Sequence, residues 1–459
     1  MSGASQIANI LGTNNVKMDM DSLAAYAIAG KTPSEVVSPS NAAEVVEIVR
    51  HAASAKRAIV AAGARTKLSM GLSPSRYDVA IDMTRMDRVV AYDPGDLTLS
   101  VEPGITLGKL ARVLGEHGQM LPLGVPFAAR TTIGGTIASG VEAPQRQLYG
   151  TARDFLLGAE FVTGDGVLAK SGGRVVKNVT GYDLHKLLIG SHGTLGLITK
   201  LNFKTFPLPL NVRGFIARFR SYEAALDMRD RIALSPLLPM TLDIFSPGVA
   251  RLFASTAGAG AAREPMPEGI LSDDEWALTT GYSGNESALA RYETELKKMA
   301  SESGATGITI ASDTLPAAWA RKREFIPIAI ASSPATTVLK IGVVPSKLKL
   351  VLKAAGDAGQ RKEVLGVAMA RGIGVLYIAL LPPDAGDDSK RRVANCVGAI
   401  QSAATELGGH ATVPWCPDAW KNDLNIWGTA TPDWTEMRKV KNAFDPGGIL
   451  SPGRYVGGM

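Results

Sequence analysis

The chain has 459 residues, enough for two or three domains, and its 46% hydrophobic and 20% charged content is that of an ordinary globular protein and not a disordered one. The net charge of +6 is small for this length, and no basic stretch is interleaved with aromatics, so nucleic acid is not an expected partner. Cys396 and Cys416 are the only cysteines, which excludes a disulfide framework and any iron–sulfur cluster held by this chain alone.

The first residues, "MSGASQIANILGTNNVKMDMDSL", lack a basic start followed by an apolar core, so no signal peptide is expected. Residues 1–36 read as a short helical arm. Asn41 with Glu44 resembles a capping box, and Val45, Val46, Ile48, Val49, Ala52 and Ala53 form the apolar stripe of a helix. "RAIVAAG" reads as a buried strand; "VAIDM" and "LTLSVEPG" read as strands of alternating character, with "YDPGD" as a turn between them. Thr106 is placed to cap a short helix. "GAEFVTGDGVLAKSGG" is a hairpin signal around Gly164–Gly166, and the prolines of "FKTFPLPLN" close this region. From 209 to 410 helical segments alternate with short strands, which predicts an antiparallel sheet with helices on one side. Within it, 256–275 reads as a mobile loop, and a tryptophan-rich piece over 411–459 ends the chain. The longest apolar runs are too short to span a bilayer.

Two glycine-bearing segments ask for a ligand. No G-x-G-x-x-G or G-x-x-x-x-G-K-[ST] pattern occurs, and "GSHGTLG" at 190–196 has the wrong spacing, which weakens the nicotinamide and nucleotide-triphosphate readings. "VAAGARTK" places Gly63 just after a strand, either as an ordinary turn or as a nest of N–H groups for a pyrophosphate. In "RTTIGGTIASG", Gly134 and Gly135 either form a bulge in a strand or let a planar ligand lie against the main chain.

In order and spacing, "VAAGARTK", "YDPGDLTLSVEPGITLGKL", "TIGGTIASG", "RQLYGTARDFLLGAEFVTGDG", "SGGRVVKNVTGYDLHKLLIGSHGTLGLIT" and "FDPGGILSPGR" resemble the vanillyl-alcohol-oxidase, or PCMH-type, family of FAD flavoproteins, and within it the FAD-binding subunits of bacterial glycolate oxidases. The resemblance implies an α+β fold: a two-subdomain FAD-binding domain over 37–208, a cap or substrate domain over 209–410, and a C-terminal segment returning to the flavin. It also implies FAD contacts at Ala62, Gly63, Ala64, Arg65 and Thr66, at Pro126, and at Thr131, Thr132, Ile133, Gly134, Gly135 and Gly140. By the same carry-over Arg146, Tyr149, Gly150 and Asp154 line the FAD, His192, Gly196 and Ile198 hold its adenine and ribityl side, and Ser451, Pro452 and Arg454 meet its edge. Ser451 and Arg454 stand where relatives often have Asn and Lys. Neither cysteine falls in an FAD segment, so non-covalent FAD is expected, with His185 and His192 as weak attachment candidates.

Related 2-hydroxy-acid dehydrogenases bind a catalytic divalent metal in the cap, in "HVGDGNLH"- and "EHG"-like segments. Here "ARGIGVLY" keeps Gly372 and Gly374 but puts Ala370 and Tyr377 at the histidine positions, and Gly409 replaces the acid before His410, so no metal site is expected. Carboxylate clamping is open between surface charges and a site built from Arg321 or Arg323, beside Glu324, with Lys340. Tyr377 reads either as a hydrogen-bond donor facing the flavin or as a core residue, and His410 either as a capping or core histidine or as a base near the flavin. The resemblance thus implies an FAD-dependent oxidoreductase subunit acting on a small 2-hydroxy acid. A homologous FAD subunit and an iron–sulfur subunit are its expected partners, in the cytoplasm or peripheral at the inner membrane through the complex. A stand-alone, metal-independent 2-hydroxy-acid or alcohol oxidoreductase is the alternative.

Overall fold

The structure, a computed structural model, describes residues 6–175, 181–254, 270–312, 315–362 and 364–459. Most of the loop expected at 256–275 (residues 255–269) and residues 176–180 of the glycine-rich "SGGRVVKNVTG" stretch lie outside the described residues.

The first unit is a four-stranded sheet of β1 (Val16–Lys17), β2 (Glu35–Val37), β3 (Ile59–Ala62) and β4 (Val79–Asp82), in the order β1-β2-β4-β3. The pairs β2–β4 and β3–β4 are parallel, and the chain reaches β3 through the crossover helix α1 (Ala42–Ser54). The predicted stripe of α1 packs on Val37, Ile59, Val79 and Ile81. Asn41 accepts the Glu44 amide at 3.0 Å, but the Glu44 carboxylate reaches back to the Ser40 amide at 2.7 Å, one residue before the position a capping box uses. Residues 6–36 are more than a helical arm. They hold two short helices, Ala8–Leu11 and Met20–Ala24, and β1 pairs with β2, while Ile7, Leu11, Tyr26 and Ile28 are buried in this unit. Elements of two to five residues are too short to leave a periodic signal.

The second unit is a five-stranded antiparallel sheet of β5 (Val89–Asp93), β6 (Thr98–Val101), β7 (Leu156–Val162), β8 (Leu168–Gly172) and β9 (Leu197–Lys204), in the order β5-β6-β9-β7-β8. β7 and β8 form the predicted hairpin, with Val162 opposite Leu168 and Gly166 at φ +77° in the turn. All of β6 is buried, so its expected alternation is absent. Two helices cross this unit, α2 (Leu107–Gly115), capped by Thr106 as expected, and α3 (Ile133–Ser139). The glycine pair is therefore not in a strand. Thr132 caps α3 by accepting the Gly135 amide at 3.3 Å, and the glycines occupy its first turn, where their low helix propensity hides the helix from a sequence reading.

The cap is an eight-stranded antiparallel sheet built from β10 (Arg213–Phe219), β11 (Thr241–Phe245), β12 (Trp276–Tyr282), β13 (Gly307–Ala311), β14 (Thr337–Gly342), β15 (Leu365–Arg371), β16 (Val375–Leu381) and β17 (His410–Trp415). Its order is β13-β10-β12-β11-β15-β16-β14-β17. Helices flank both faces, not one. The outer face carries Tyr222–Ala233, Glu286–Glu302, Leu348–Lys362 and Asp387–Glu406. On the inner face, Phe245, Met369, Tyr377 and Trp415 join Val249–Ala254 and Phe325–Ser332 and the core of the second unit around Phe155 and Phe161. Successive residues of a strand point to opposite sides, so the continuous apolar run of β16 serves both cores at once. The C-terminal segment returns to the first unit: Ile59 donates to the Ile449 carbonyl and Ser451 donates to the Ile59 carbonyl, both at 2.7 Å.

Candidate functional site

A groove with about 790 Å³ of empty space, open solvent included, runs between the first and second units. Its walls are the end of β3 and the turn after it (Ala62, Gly63, Ala64, Arg65, Thr66, Lys67), one side of α3 from its cap Thr132 to Ser139, and the approach to and start of β9 (His192, Gly196, Ile198), with Arg454 from the C-terminal segment. Among the described residues no carboxylate lines it, whereas Arg65, Lys67 and Arg454 do. Arg454 is buried, gives one nitrogen to the Leu68 and Met70 carbonyls, and has no partner for Nε among the described residues. Burial lowers this guanidinium to about 10, an arrangement that an anionic ligand would relieve. His192 sits at φ +54° against Trp427 and Tyr455, and burial, aided by Arg454, lowers it to about 3, so the imidazole is neutral.

The glycine pair divides its work. A side chain at Gly134 would bring Cβ to 2.6 Å from the Pro103 Cβ, so that glycine is demanded by packing. At Gly135 the one close atom among the described residues is the capping hydroxyl of Thr132 at 3.1 Å, and the residue borders the groove. A bare stretch of helix N-terminus beside a cation-lined, acid-free groove fits FAD, with its anionic pyrophosphate and flat ring.

Other expected contacts lie apart from the groove lining. The Pro126 carbonyl accepts from Thr131, whose hydroxyl also meets Thr66 at 3.0 Å and Lys67 at 2.8 Å. Ile133 is core, and Gly140 ends α3 in the left-handed conformation and borders a neighbouring cavity. Arg146 pairs with Glu142, and Tyr149 packs edge-on against Phe206. Asp154 closes a capping box on Thr151, beside Gly150. Ser451 is buried in its β3 contact, and the Pro452 carbonyl accepts from Ser75. His185 is buried with Nδ1 at 3.0 Å from Ser171 Oγ, under the edge strand β8.

A second cavity, with about 880 Å³ of empty space, open solvent included, adjoins the groove and shares Ser139 and His192 with it. Tyr377, Lys340 and Thr412 form a row across β16, β14 and β17, and His410 stands opposite Gly342, two residues along from Lys340. Cross-strand partners point the same way, so these side chains share the inner face and line this cavity. Lys340 Nζ lies 2.9 Å from Glu142 Oε1, and Glu142 also takes Arg146. Burial alone would raise the Glu142 carboxyl, but Lys340 and Arg146 outweigh it and hold it below its ordinary value. Burial would lower Lys340, yet Tyr377 and Glu142 raise it on balance. Burial and the Lys340 charge lower His410.

Ala370 belongs to the outer-face core and Tyr377 to the inner one. A Cβ at Gly409 would fall 2.3 Å from the Gly342 carbonyl, so the backbone leaves no room for an acid there. Among the described residues no group of three or more His, Cys, Asp or Glu is placed to hold a metal. Arg323 lines a third cavity with Thr241, Gln145 and Lys322, so it and Lys340 do not share one. Arg321 is fully buried, and the Glu324 carboxylate accepts the Phe127 and Ala128 amides at 2.8 and 3.1 Å, tying the cap to the loop before α3.

Sequence reasoning missed Lys67, Glu142 and a buried cluster in which Asp243 pairs with Lys322 and with Arg371 at 3.1 Å. The signal for Lys67 was adjacency to "AAGART"; the partners of Glu142 and Asp243 are too distant in sequence for a local pattern.

Residues 33–172 match an FAD binding domain, and residues 208–412 and 428–455 match the C-terminal domain of FAD linked oxidases. The chain is 25% identical over 425 residues to the glycolate oxidase subunit GlcD of Bacillus subtilis (strain 168), covering 92% of this chain and 88% of that protein. It is 36% identical over 166 residues to the glycolate oxidase subunit GlcE of Escherichia coli (strain K12), covering 36% of this chain and 47% of that one. In fold it is similar to p-cresol methylhydroxylase, a structure solved with substrate bound, at a TM-score of 0.78 and 19% identity over 98% of this chain and 95% of that chain. No helix among the described residues is long and apolar enough to cross a membrane. The acid-free groove, the inner face of the cap and these matches lead to one assignment: the chain belongs to the FAD-linked oxidases, as an FAD-dependent oxidoreductase of the PCMH-type fold.

Proposed function

We propose that this chain is an FAD-binding subunit of a glycolate-oxidising complex, in which a 2-hydroxy acid becomes a 2-oxo acid and the electrons pass to an iron–sulfur partner. Bound FAD supplies the two-electron acceptor. The similarity to two different glycolate oxidase subunits supports the substrate class. The observation that carries this subunit's role is the state of the cap cavity: Glu142 already engages the Lys340 ammonium, and Gly409 leaves no room for a metal-binding acid. A small carboxylate entering the cavity would have to compete with Glu142 for that cation. This supports an electron-relay or assembly role beside a homologous subunit that oxidises the substrate.

A second reading, metal-independent turnover by this chain alone, is favoured by the convergence of Tyr377, His410 and Lys340 next to the groove. In that reading the lowered His410 is neutral at physiological pH and available as a base, Tyr377 donates to the substrate, and Lys340 orients its carboxylate. Anaerobic addition of glycolate to the purified, FAD-loaded chain separates the two. An unchanged flavin spectrum for the chain alone, with bleaching once the partner subunits are added, supports the complex. Bleaching of the chain alone supports the second reading.

A further inference from the structure

Lys67 is the groove cation whose surroundings the family assignment leaves unexplained. Its ammonium is held by hydroxyls, at 2.8 Å from Thr131 Oγ1 and 3.4 Å from Thr66 Oγ1, and no carboxylate among the described residues bridges it. The acid whose charge acts on it is Glu324, which is fastened to the Phe127 and Ala128 amides. Burial outweighs that acid and lowers Lys67 to about 7. The groove's other cations are placed differently. Arg65 stacks on Tyr26, in the core of the first unit, and Arg454 is anchored to the Leu68 and Met70 carbonyls. Lys67 alone stands where the cap, through Glu324, meets the loop leading into α3. An isoalloxazine facing the cap beside Glu324 would lie at this end of the groove, and the turn at Gly63–Thr66 would offer its amides to a pyrophosphate.

We propose that Lys67 faces the isoalloxazine of FAD and favours the negative charge that the ring gains on reduction. In that step the ring takes up two electrons and one proton and is left with one net negative charge; in the test below, dithionite supplies the electrons and is oxidised to sulfite, and solvent supplies the proton. A cation held by two hydroxyls and facing the ring stabilises the charged product more than the neutral oxidised ring. The assignment rests on FAD binding and is independent of the substrate and partners proposed above.

The test is a spectroscopic redox titration of the FAD-loaded chain against a reference dye, with dithionite as reductant, for wild type, K67M, K67Q and K67R. The expected result is that K67M and K67Q disfavour reduction about tenfold, a potential lower by about 30 mV for a two-electron couple, while K67R stays near wild type and oxidised FAD binds all four with similar affinity. An unchanged potential in K67M and K67Q overturns the proposal. Loss of oxidised FAD from both neutral variants also overturns it, because the charge would then serve the pyrophosphate or the fold. Failure of the glycolate reading leaves both results standing, since neither uses substrate.

Discussion

Replacing Gly135 by valine separates the fold's use of the glycine pair from the ligand's. At Gly134 a Cβ would meet the Pro103 Cβ at 2.6 Å and its carbonyl at 3.0 Å, and nothing flexible there can give way. G134V should therefore destabilise the FAD-free chain by about 1–3 kcal/mol, the usual cost of overpacking a tight contact. At Gly135 the close atom among the described residues is the Thr132 hydroxyl at 3.1 Å, which need move only slightly, and exchanging a helical glycine for β-branched valine returns only about a few tenths of a kcal/mol. G135V should leave the FAD-free chain near wild-type stability, while its methyl groups stand where the ring meets bare backbone. If the same overpacking cost of about 1–3 kcal/mol falls on the bound state, the FAD dissociation constant rises roughly 5- to 150-fold. Denaturant unfolding of the FAD-free variants and FAD titration by fluorescence quenching read the two effects separately. FAD affinity in G135V within twofold of wild type would refute the reasoning and leave the glycine as a helix-shaping residue only.

Glu142 bridges the two halves of the site through Lys340 and Arg146 and is held below its ordinary pKa, so its contribution is full above the unfolded value and is lost as pH falls through the folded one. E142Q should therefore lower stability at pH 7 and flatten the acid limb of a stability profile; an acid limb identical to wild type would contradict this. Lys67 carries the opposite linkage: with its pKa lowered to about 7, the FAD-free fold bears the cost of the charged form at low pH and is relieved as pH rises from about 7 toward the ordinary lysine value. The stability difference between K67M and wild type should accordingly shrink across that range, as followed by denaturant unfolding at several pH values. Metal analysis of the purified chain should find no stoichiometric zinc or manganese, and any activity should survive EDTA, because Ala370, Tyr377 and Gly409 offer no ligand set around His410. Activity lost to chelator and restored by metal would contradict it.

What the sequence disclosed was local. The turn at Gly63–Thr66, the hairpin about Gly166 and the capped helix after Asn41 are each set by neighbouring residues, and each is where the pattern placed it. α3 escaped because two glycines cancel the propensity signal, although Thr132 before Ile133 was a usable cap. β5 and the short strand β1 escaped because neither carries a distinct apolar pattern. The ion pairs escaped for a different reason. Glu142 and Lys340 lie 198 residues apart, and Asp243 and Arg371 lie 128 apart, so only the closing of the cap on the second unit and the pairing of β11 with β15 bring them together. "WARKREF" looks like a solvated helix end, yet Arg321, Lys322 and Glu324 are all buried, because this segment is wedged between the cap sheet and the loop before α3. Asp154 and Arg146, by contrast, stand in a recognisable motif but engage Thr151 and Glu142.

FAD held without a covalent bond in the groove between the first and second units is the feature on which the other expectations depend. Acid precipitation of the purified or reconstituted chain, with the flavin in supernatant and pellet quantified by absorbance, tests this most directly. One FAD per chain, recovered in the supernatant from wild type and markedly reduced in G135V after gel filtration, is the predicted result. Flavin that stays with the precipitate, or a chain that neither carries FAD nor takes it up, would contradict it.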